Sequence, residues 1–340
     1  MIGSLGKDST TEDRIRPTFV QRLNSFGFSL PILACLAVLT IAPVFIKDAY
    51  ILRLLVISLY FGSLAMAFDF TGGFINAVNF GFAAFVGLGA YAAALITTYT
   101  TLNPWFGIAC GIFLAGLVGF LTGLLTLRLR GIYVSLMSWF VGMTLMALAN
   151  AMVKITRGAR GLIVPPLFES SSTLVYLYIL IVMMVLVYAL LRLIIHSRIG
   201  LAFRAIGQNF DTAQASGIDP TRYKLLNFTL SCACAGLFGG YYAHFVGIVT
   251  PDIMDTGHTM EVMTLSFIGG SGSLLGGIFA AFLLIPIFDS LKKLMEYRLI
   301  IYGLLLILVM IFYPAGLNGL YQVTILRIKK WRGRRKNEDS

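Results

Sequence analysis

Long uncharged hydrophobic runs, separated by short charged segments, make up most of this 340-residue chain. A helix that crosses a bilayer needs roughly 20 apolar residues. The longest run therefore has room for two helices, divided near Leu102-Asn103-Pro104. The pattern predicts an all-α, polytopic membrane protein with roughly eight to ten transmembrane helices. The runs cover residues 29–46, 54–68, 70–127, 131–153, 170–191, 225–251, 262–288 and 299–326.

A glycine-rich break interrupts one of these runs. A plain count of the runs gives nine spans, which would place the two chain ends on opposite sides of the membrane. Within 262–288, however, glycines cluster from Gly269-Gly270 to Gly276-Gly277. Irregular backbone at membrane depth is tolerated where protein buries it or where it lines a cavity. Two short helices meeting at this break, as spans or as a re-entrant hairpin, would restore an even number of crossings.

A weak repeat relates the two halves of the chain at an offset of 197 residues. The segment FTGG at 70–73 aligns with FIGG at 267–270, and FAAF at 82–85 recurs at 279–282. The matches predict an internal two-fold repeat with a glycine break in each half. Transporter sites tend to lie where interrupted helices meet at a repeat interface. Two closely packed glycine turns without a ligand would give the same pattern.

Charge is concentrated beside the hydrophobic runs. The chain is 58% hydrophobic and 12% charged, with a net charge of +11. Its basic residues cluster at 1–28, around 192–224 and at 327–336, which argues against a nucleic-acid surface. By the positive-inside rule these clusters predict cytoplasmic location for all three regions. The chain then divides into an N-terminal segment (1–28), a transmembrane permease domain (29–326) and a basic tail (327–340).

The N-terminal segment is polar and mixed in charge, so it lacks the pattern of a cleavable signal peptide. We therefore expect Ser29–Ile46 to remain as a first span.

The longest polar interruption between spans is 197–222, SRIGLAFRAIGQNFDTAQASGIDPTR. Lipid cannot satisfy its backbone, so it must lie in water or against a protein partner. We expect Gly207 to end one short helix, Asp211 to cap a second at 212–216, and Gly217 to close it. Asp219-Pro220 supplies a cap and a first-turn proline for the next span. Compact helices at the membrane surface are what a permease needs if a separate soluble motor acts on it.

Motifs of enzymatic chemistry are absent from the sequence. Cys232 and Cys234, two apart on a helix, face different directions and cannot share a metal. The glycine-rich stretch 269–277 lacks the Gly-Lys-Ser/Thr ending of a phosphate loop. We therefore expect no catalytic residue, metal site or cofactor in this chain, and any ATP that drives it would be bound by partner subunits.

Polar residues within the hydrophobic runs are the remaining candidates for function, because an isolated polar group in lipid is costly. Either a substrate path or hydrogen bonding between helices would account for each of them. The translocation-path candidates are Gly72, Gly73, Asn76, Asn79, Asn150, Glu261, Gly269 and Gly270.

Over residues of about 50–320 the chain resembles the permeases of branched-chain amino acid ABC transporters, in particular the second, longer permease of that heteromeric system. The most specific segment is 197–228, and the order and spacing of all segments carry the resemblance. The first segment departs from the family pattern at Phe74 to Phe80, which leaves the substrate open. The other segments are FTGGFINAVNFGFAAFVGLGAYAAALI (70–96), LRLRGIYVSLMSWFVG (127–142), TRGARGLIVPP (156–166), YYAHFVGIVTPD (241–252), IGGSGSLLGG (268–277) and YGLLLILVMIFYPAGLNGL (302–320).

The resemblance implies an ABC importer in the bacterial inner membrane. Its partners would be a second homologous permease, two cytoplasmic ATPases and an external substrate-binding protein. The segment 197–222 would then form the coupling helices, with 213–218 as the counterpart of the ABC coupling motif. The ATPase-coupling residues are Arg204, Asp211, Ala213, Ala215, Gly217 and Ile218.

Relatives of this family carry leucine, isoleucine and valine, and others carry urea, short amides or other amino acids, so the substrate stays open between these classes. An ion-coupled secondary transporter is a remoter alternative. Its main carboxylate candidates would be Asp69, Glu261 and Asp289, all near predicted span ends. Pairing with a second copy of this chain instead of a different permease also stays open.

Overall fold

The structure is a computed structural model. It describes residues 39–41, 43, 45, 46, 48–100, 102–126, 129, 131–168, 172–290 and eight positions between 300 and 316. The chain divides after Phe45, and the fold below is that of the part from Ile46 onward. Before that division, the described positions 39–41, 43 and 45 are helical. The predicted segments 1–28 and 327–340, and most of the predicted spans 29–46 and 299–326, lie outside the described residues.

The described part of the chain is almost entirely helical. Five helices are long and apolar enough to cross a membrane: α1 (Ala49–Gly72), α2 (Phe82–Tyr99), α3 (Pro104–Thr126), α4 (Ile132–Ala151) and α6 (Thr173–His196). The prediction of an all-α polytopic membrane protein is confirmed. The shorter or more polar helices are α5 (Val153–Thr156), α7 (Arg198–Gln208), α8 (Phe210–Ala215), α9 (Pro220–Val246), α10 (Thr256–Gly269) and α11 (Gly276–Ser290).

Helix α9 lies at the centre of the fold and is in contact with most of the other helices. Its 27 residues span about 40 Å at 1.5 Å per residue. Small residues let α2 and α3 approach it closely: a methyl group added at Gly89 would lie 2.2 Å from the Gly236 carbonyl oxygen. Because nothing larger than glycine fits there, the glycine pattern of these helices serves packing.

Helix α1 runs antiparallel to α9. Near the start of α9, Asn227 donates to the Phe70 carbonyl oxygen at 2.8 Å. Near its end, Tyr242 stacks on Tyr60 with ring centroids 4.4 Å apart. The first glycine break therefore lies at the same end of α9 as the polar segment 197–222.

The run 262–288 is divided into two helices, as its glycines predicted. Helices α10 and α11 have 14 and 15 residues, or about 21–23 Å each at 1.5 Å per residue. Both are shorter than the roughly 30 Å hydrocarbon core of a bilayer. Residues 270–275 connect them without helical structure.

Equivalent positions of the two halves touch each other. Asp69 and Ser266, which are 197 residues apart, are joined by a hydrogen bond of 3.4 Å. Phe61 and His258, at the same offset, have ring centroids 6.3 Å apart. Helices α1 and α10 therefore run side by side in the same direction, and contact between equivalent residues is the signature of a two-fold relation. The repeat is thus of the parallel kind, with its axis between these two helices.

The second helices of the two halves, α2 and α11, follow the same two-fold relation. Helix α1 packs on α11, where a methyl group at Gly62 would lie 3.3 Å from the Ala281 side chain. At the equivalent place, the Ala83 N–H of α2 donates to the Thr259 hydroxyl of α10 at 3.0 Å. Each half therefore packs its first helix against the second helix of the other half.

A small two-stranded antiparallel sheet, which the sequence did not predict, lies at the end of α9 away from α7 and α8. Strand β1 (Leu162–Ile163) pairs antiparallel with β2 (Ile248–Val249), with Leu162 opposite Val249. Single 3₁₀ turns at Gly158–Arg160 and Pro251–Met254 adjoin the strands. His244 of α9 donates a hydrogen bond from its Nδ1 atom to the Pro165 carbonyl oxygen at 2.8 Å. These contacts join the two non-helical segments into one cap over this end of the bundle.

Candidate translocation and coupling sites

A buried carboxylate joins the two glycine breaks. Asp69, only 2% exposed, accepts hydrogen bonds from the Gly272 N–H at 2.8 Å and from the Leu274 N–H at 2.9 Å. The Ser266 hydroxyl adds a third donor at 3.4 Å. We call this group the Asp69 clasp. It satisfies backbone donors of 270–275 that lipid could not satisfy.

The two breaks are in direct contact. A methyl group added at Gly73 would lie 2.3 Å from the Gly272 nitrogen. Gly270 has a φ of +106°, in a region that other residues rarely adopt. A methyl group at Gly316 would lie 2.5 Å from the Gly270 Cα atom. Gly72 packs against Phe68 and Gly269 against Gly276, so Gly73 and Gly272 make the contact between the breaks. We call residues 72–73 and 269–272 the glycine junction, and its place on a translocation path stays a prediction.

The polar segment 197–222 contains two helices, although their caps differ from the prediction. Gly207 lies inside α7, which continues to Gln208. Helix α8 begins at Phe210, and its cap is Asn209, whose side-chain oxygen accepts from the Thr212 N–H at 3.0 Å. Asp211 lies in the first turn of α8, so the prediction that it caps this helix is wrong. Asparagine is as good an N-cap residue as aspartate, and Asn209 directly precedes α8.

The end of α8 follows the prediction. Gly217 has a φ of +83°, and the Ile218 N–H donates to the Ala213 carbonyl oxygen at 3.1 Å. This bond, with one from Gly217 to Gln214, is the Schellman pattern. Asp219 then caps α9 ahead of Pro220.

The exposed part of α8 is narrower than the predicted coupling motif. Ala213 is 4% exposed and faces the rest of the protein. Ala215, Ser216 and Gly217 are exposed, as is Arg204 on α7, whereas Ile218 is half-buried. A partner could therefore contact Ala215 but not Ala213.

Helix α7 packs directly on the first glycine break. The Asn76 side-chain amide donates to the Gly207 carbonyl oxygen at 2.6 Å, and Asn76 itself has a φ of +55°. The Arg204 guanidinium lies over the Phe74 ring, 5.8 Å from its centre. Phe203 meets Phe70 edge to face at 5.6 Å. The segment 197–222 is therefore in contact with 70–76, and the Asp69 clasp links that break to the second one.

The other polar candidates do not share one location. Buried Asn79 accepts from the Gly81 N–H at 3.1 Å and supports the start of α2. Asn150 is exposed near the end of α4, where its amide donates to the Met146 carbonyl oxygen. Glu261 is 3% exposed and lies 3.7 Å from His258. The structure thus places Asn76 beside the junction, Asn79 near it, and Asn150 and Glu261 elsewhere.

A cavity of about 180 Å³ lies between α1, the start of α2, the end of α9 and α10. Its walls are largely apolar, and Thr250, Asp252 and His258 are among the polar side chains that line it. No sequence motif indicates this cavity, because its residues are scattered over four helices, strand β2 and the turn that follows it. The stacked rings of Tyr60 and Tyr242 form part of its wall.

Within the part of the chain that the structure describes, no group of three or more His, Cys, Asp or Glu side chains is placed to bind a metal ion. The geometry is that of a multi-pass helical membrane protein with a surface helix pair connected to an interrupted core.

Comparison with known proteins identifies the family. A family model described as a branched-chain amino acid transport system permease component matches residues 50–310. The match covers more than half of the chain, so the chain belongs to this permease family.

Two relatives are the high-affinity branched-chain amino acid transport system permease proteins LivM and LivH of Escherichia coli K12. The chain is 26% identical to LivM over 345 residues, which cover 89% of the chain and 81% of LivM. It is 30% identical to LivH over 182 residues, 49% of the chain and 58% of LivH. The autoinducer 2 import permease LsrC of Yersinia pseudotuberculosis is 28% identical over 236 residues, 64% of the chain and 65% of LsrC. No solved structure matched the chain.

We predict that Asp69→Asn destabilises the protein by about 2 kcal/mol, because an amide nitrogen would face a backbone donor and the charge that strengthens the hydrogen bonds would be lost. Thermal unfolding in detergent measures the change. Asp255→Asn is the control: Asp255 is exposed and caps α10, and asparagine caps a helix equally well. An equal loss of stability in both variants would contradict the role of the clasp.

Proposed function

We propose that this chain is a permease subunit of an ATP-driven importer of branched-chain amino acids. The observation that carries the proposal is the family match over 50–310, joined with a surface helix pair that touches the first glycine break. LivM and LivH are both named as permeases of one transport system, which supports pairing with a second, homologous permease. The further partners would be two cytoplasmic ATPases and an external substrate-binding protein. We assign no catalytic step and no cofactor to this chain.

The contacts of α7 support a mechanism of coupling. An ATPase that moves α7 and α8 would act on 70–76 through the Asn76–Gly207 hydrogen bond and the Phe203–Phe70 contact. Through the Asp69 clasp the same movement would reach the second break. Movement at the surface would thus change how the two halves pack at their axis, as rocking between inward-open and outward-open states requires.

Reconstitution tests the substrate and the energy source. The complex of this chain, its partner permease, the ATPases and the binding protein is placed in proteoliposomes, and uptake of labelled leucine, urea and acetamide is measured. We expect ATP-dependent uptake of leucine. ATP-dependent uptake of urea or acetamide without leucine would favour the importer for amides. Leucine uptake that needs a proton or sodium gradient and no ATP would favour a secondary transporter.

We predict that Ser216→Cys crosslinks to an ATPase subunit in the assembled complex, because Ser216 is exposed at the end of α8. Ser172→Cys is the control, because Ser172 is exposed at the end of α6 that lies away from α7.

Ala215→Glu should abolish transport while insertion and thermal stability stay normal, since the Ala215 side chain is exposed. Ala213→Glu should lower stability as well, because Ala213 is buried. Equal crosslinking from both cysteines would overturn the assignment of this surface.

We further propose a bacterial inner-membrane location with both termini cytoplasmic. The basic residues of 1–28 and 327–340 support it through the positive-inside rule. Reporter fusions after residue 340 should be active on the cytoplasmic side, and fusions after Ser172 on the outer side. Activity of the 340 fusion on the outer side alone would reverse the assignment.

A further inference from the structure

The cavity with Tyr60 and Tyr242 in its wall is the feature from which the inference starts. It is beside the repeat axis, between α1 and α10, and it is near the end of α9 that lies away from α7 and α8. Under the proposed function the binding protein delivers substrate at that end. The cavity therefore stands between the delivery side and the glycine junction.

Its size suits one small apolar side chain. The volume is about 180 Å³, and an engineered apolar cavity of about 150 Å³ in another protein binds benzene. The deeper walls come from Leu64, Phe82, Val86 and Val262, all nearly buried. A branched aliphatic chain of three or four carbons would replace water or empty space there and contact these walls.

Charged and hydrogen-bonding side chains line part of the cavity. Asp252 is exposed and lines the cavity from the first turn of Pro251–Met254. Thr250 and His258 line it as well, and His258 has its Nδ1 atom 3.7 Å from Glu261. A carboxylate can accept from an ammonium group, while a hydroxyl and an imidazole N–H can donate to a carboxylate. This is the polar complement of a zwitterionic amino acid.

The cavity and the clasp share two helices. On α1, Leu64 lines the cavity and Asp69 follows five residues later. On α10, Val262 lines the cavity and Ser266 follows one turn later. A shift of α1 against α10 at the clasp would therefore change the shape of the cavity.

We propose that this cavity is a transit site that holds one branched-chain amino acid inside this subunit during transport, with its aliphatic chain against α1, α2 and α10 and its charged groups at Asp252, Thr250 and His258. The proposal rests on the proposed function and adds the place where the substrate is bound.

Filling part of the cavity with a larger side chain tests the site, because uptake of a larger substrate should then fall more than uptake of a smaller one. Val246→Trp, from half-buried Val246 in the wall, should lower leucine uptake at least tenfold and valine uptake less, because leucine is one methylene longer. Val182→Trp is the control, 57% exposed on α6. It should leave both rates and their ratio unchanged. Assembly and ATP hydrolysis are measured in parallel.

A second variant from another wall keeps the test independent of one substitution. Ile253→Trp should shift the leucine-to-valine ratio in the same direction, with Ile163→Trp, 65% exposed on β1, as its control. If the tryptophan variants in the wall assemble and their leucine-to-valine ratio equals that of the controls, the proposal is wrong. A wild-type complex that does not transport leucine at all would instead overturn the proposed function.

The charged groups are tested through affinity. Asp252→Asn should raise the KM for leucine at least fivefold with little change in the maximal rate, because a charged acceptor for the ammonium group is lost. Asp255→Asn removes the same charge three residues away and preserves the α10 cap, so its KM should be unchanged. Equal KM values in the two variants would exclude Asp252 from the site.

Discussion

The fold depends on how non-helical backbone is satisfied inside a membrane. Residues 270–275 form no helix, and lipid offers no acceptor to backbone N–H groups that a helix would have satisfied. The Asp69 carboxylate provides the acceptors for two of these N–H groups, Gly272 and Leu274, at 2.8 and 2.9 Å. Because Asp69 belongs to α1 and its donors follow α10, satisfying one break also joins the two halves. A buried charge is costly unless it is hydrogen-bonded. The N–H groups of the break therefore stabilise the buried carboxylate, and the carboxylate in turn satisfies those N–H groups.

The glycine junction also attaches helices α7 and α9 to the core of the fold. Phe70, the residue after Asp69, packs on Phe203 and gives its carbonyl to Asn227. Both α7 and α9 are thus attached within one residue of the clasp. Since close-packed contacts cannot deform continuously, a displacement of α7 has to move this region as a unit. That property, more than any single side chain, makes the segment 197–222 suited to transmit force.

Much of the fold could be predicted from sequence because membrane constraints act on composition and spacing. The helical runs, the division of 262–288 and the contact of the two breaks follow from hydrophobicity, from glycine and from the 197-residue offset. The same offset aligns Asp69 with Ser266 and so indicates the clasp, whereas Asp69 taken alone in the sequence suggests only a site for ion coupling. Asn209 and Asp211 are both good caps, and α8 begins at Phe210 with Ala213 buried against the rest of the protein. The burial of Ala213 and the cavity arise from contacts between distant helices, so no local pattern indicates them.

The repeat also explains why the cavity lies where it does. At the 197-residue offset, the first ten residues of α1 correspond to Val246–Asp255, yet in the second half these residues form the end of α9, β2 and a 3₁₀ turn. Helix α10 is therefore 14 residues long where α1 has 24. The turns that symmetry would place before His258 of α10 are therefore missing, and the turn at Pro251–Met254, which takes their place, lines the cavity beside Tyr60 and Phe61. A two-fold repeat with one shortened helix thus produces an asymmetric cavity beside its axis, with Thr250 and Asp252 on the side where the helix was replaced.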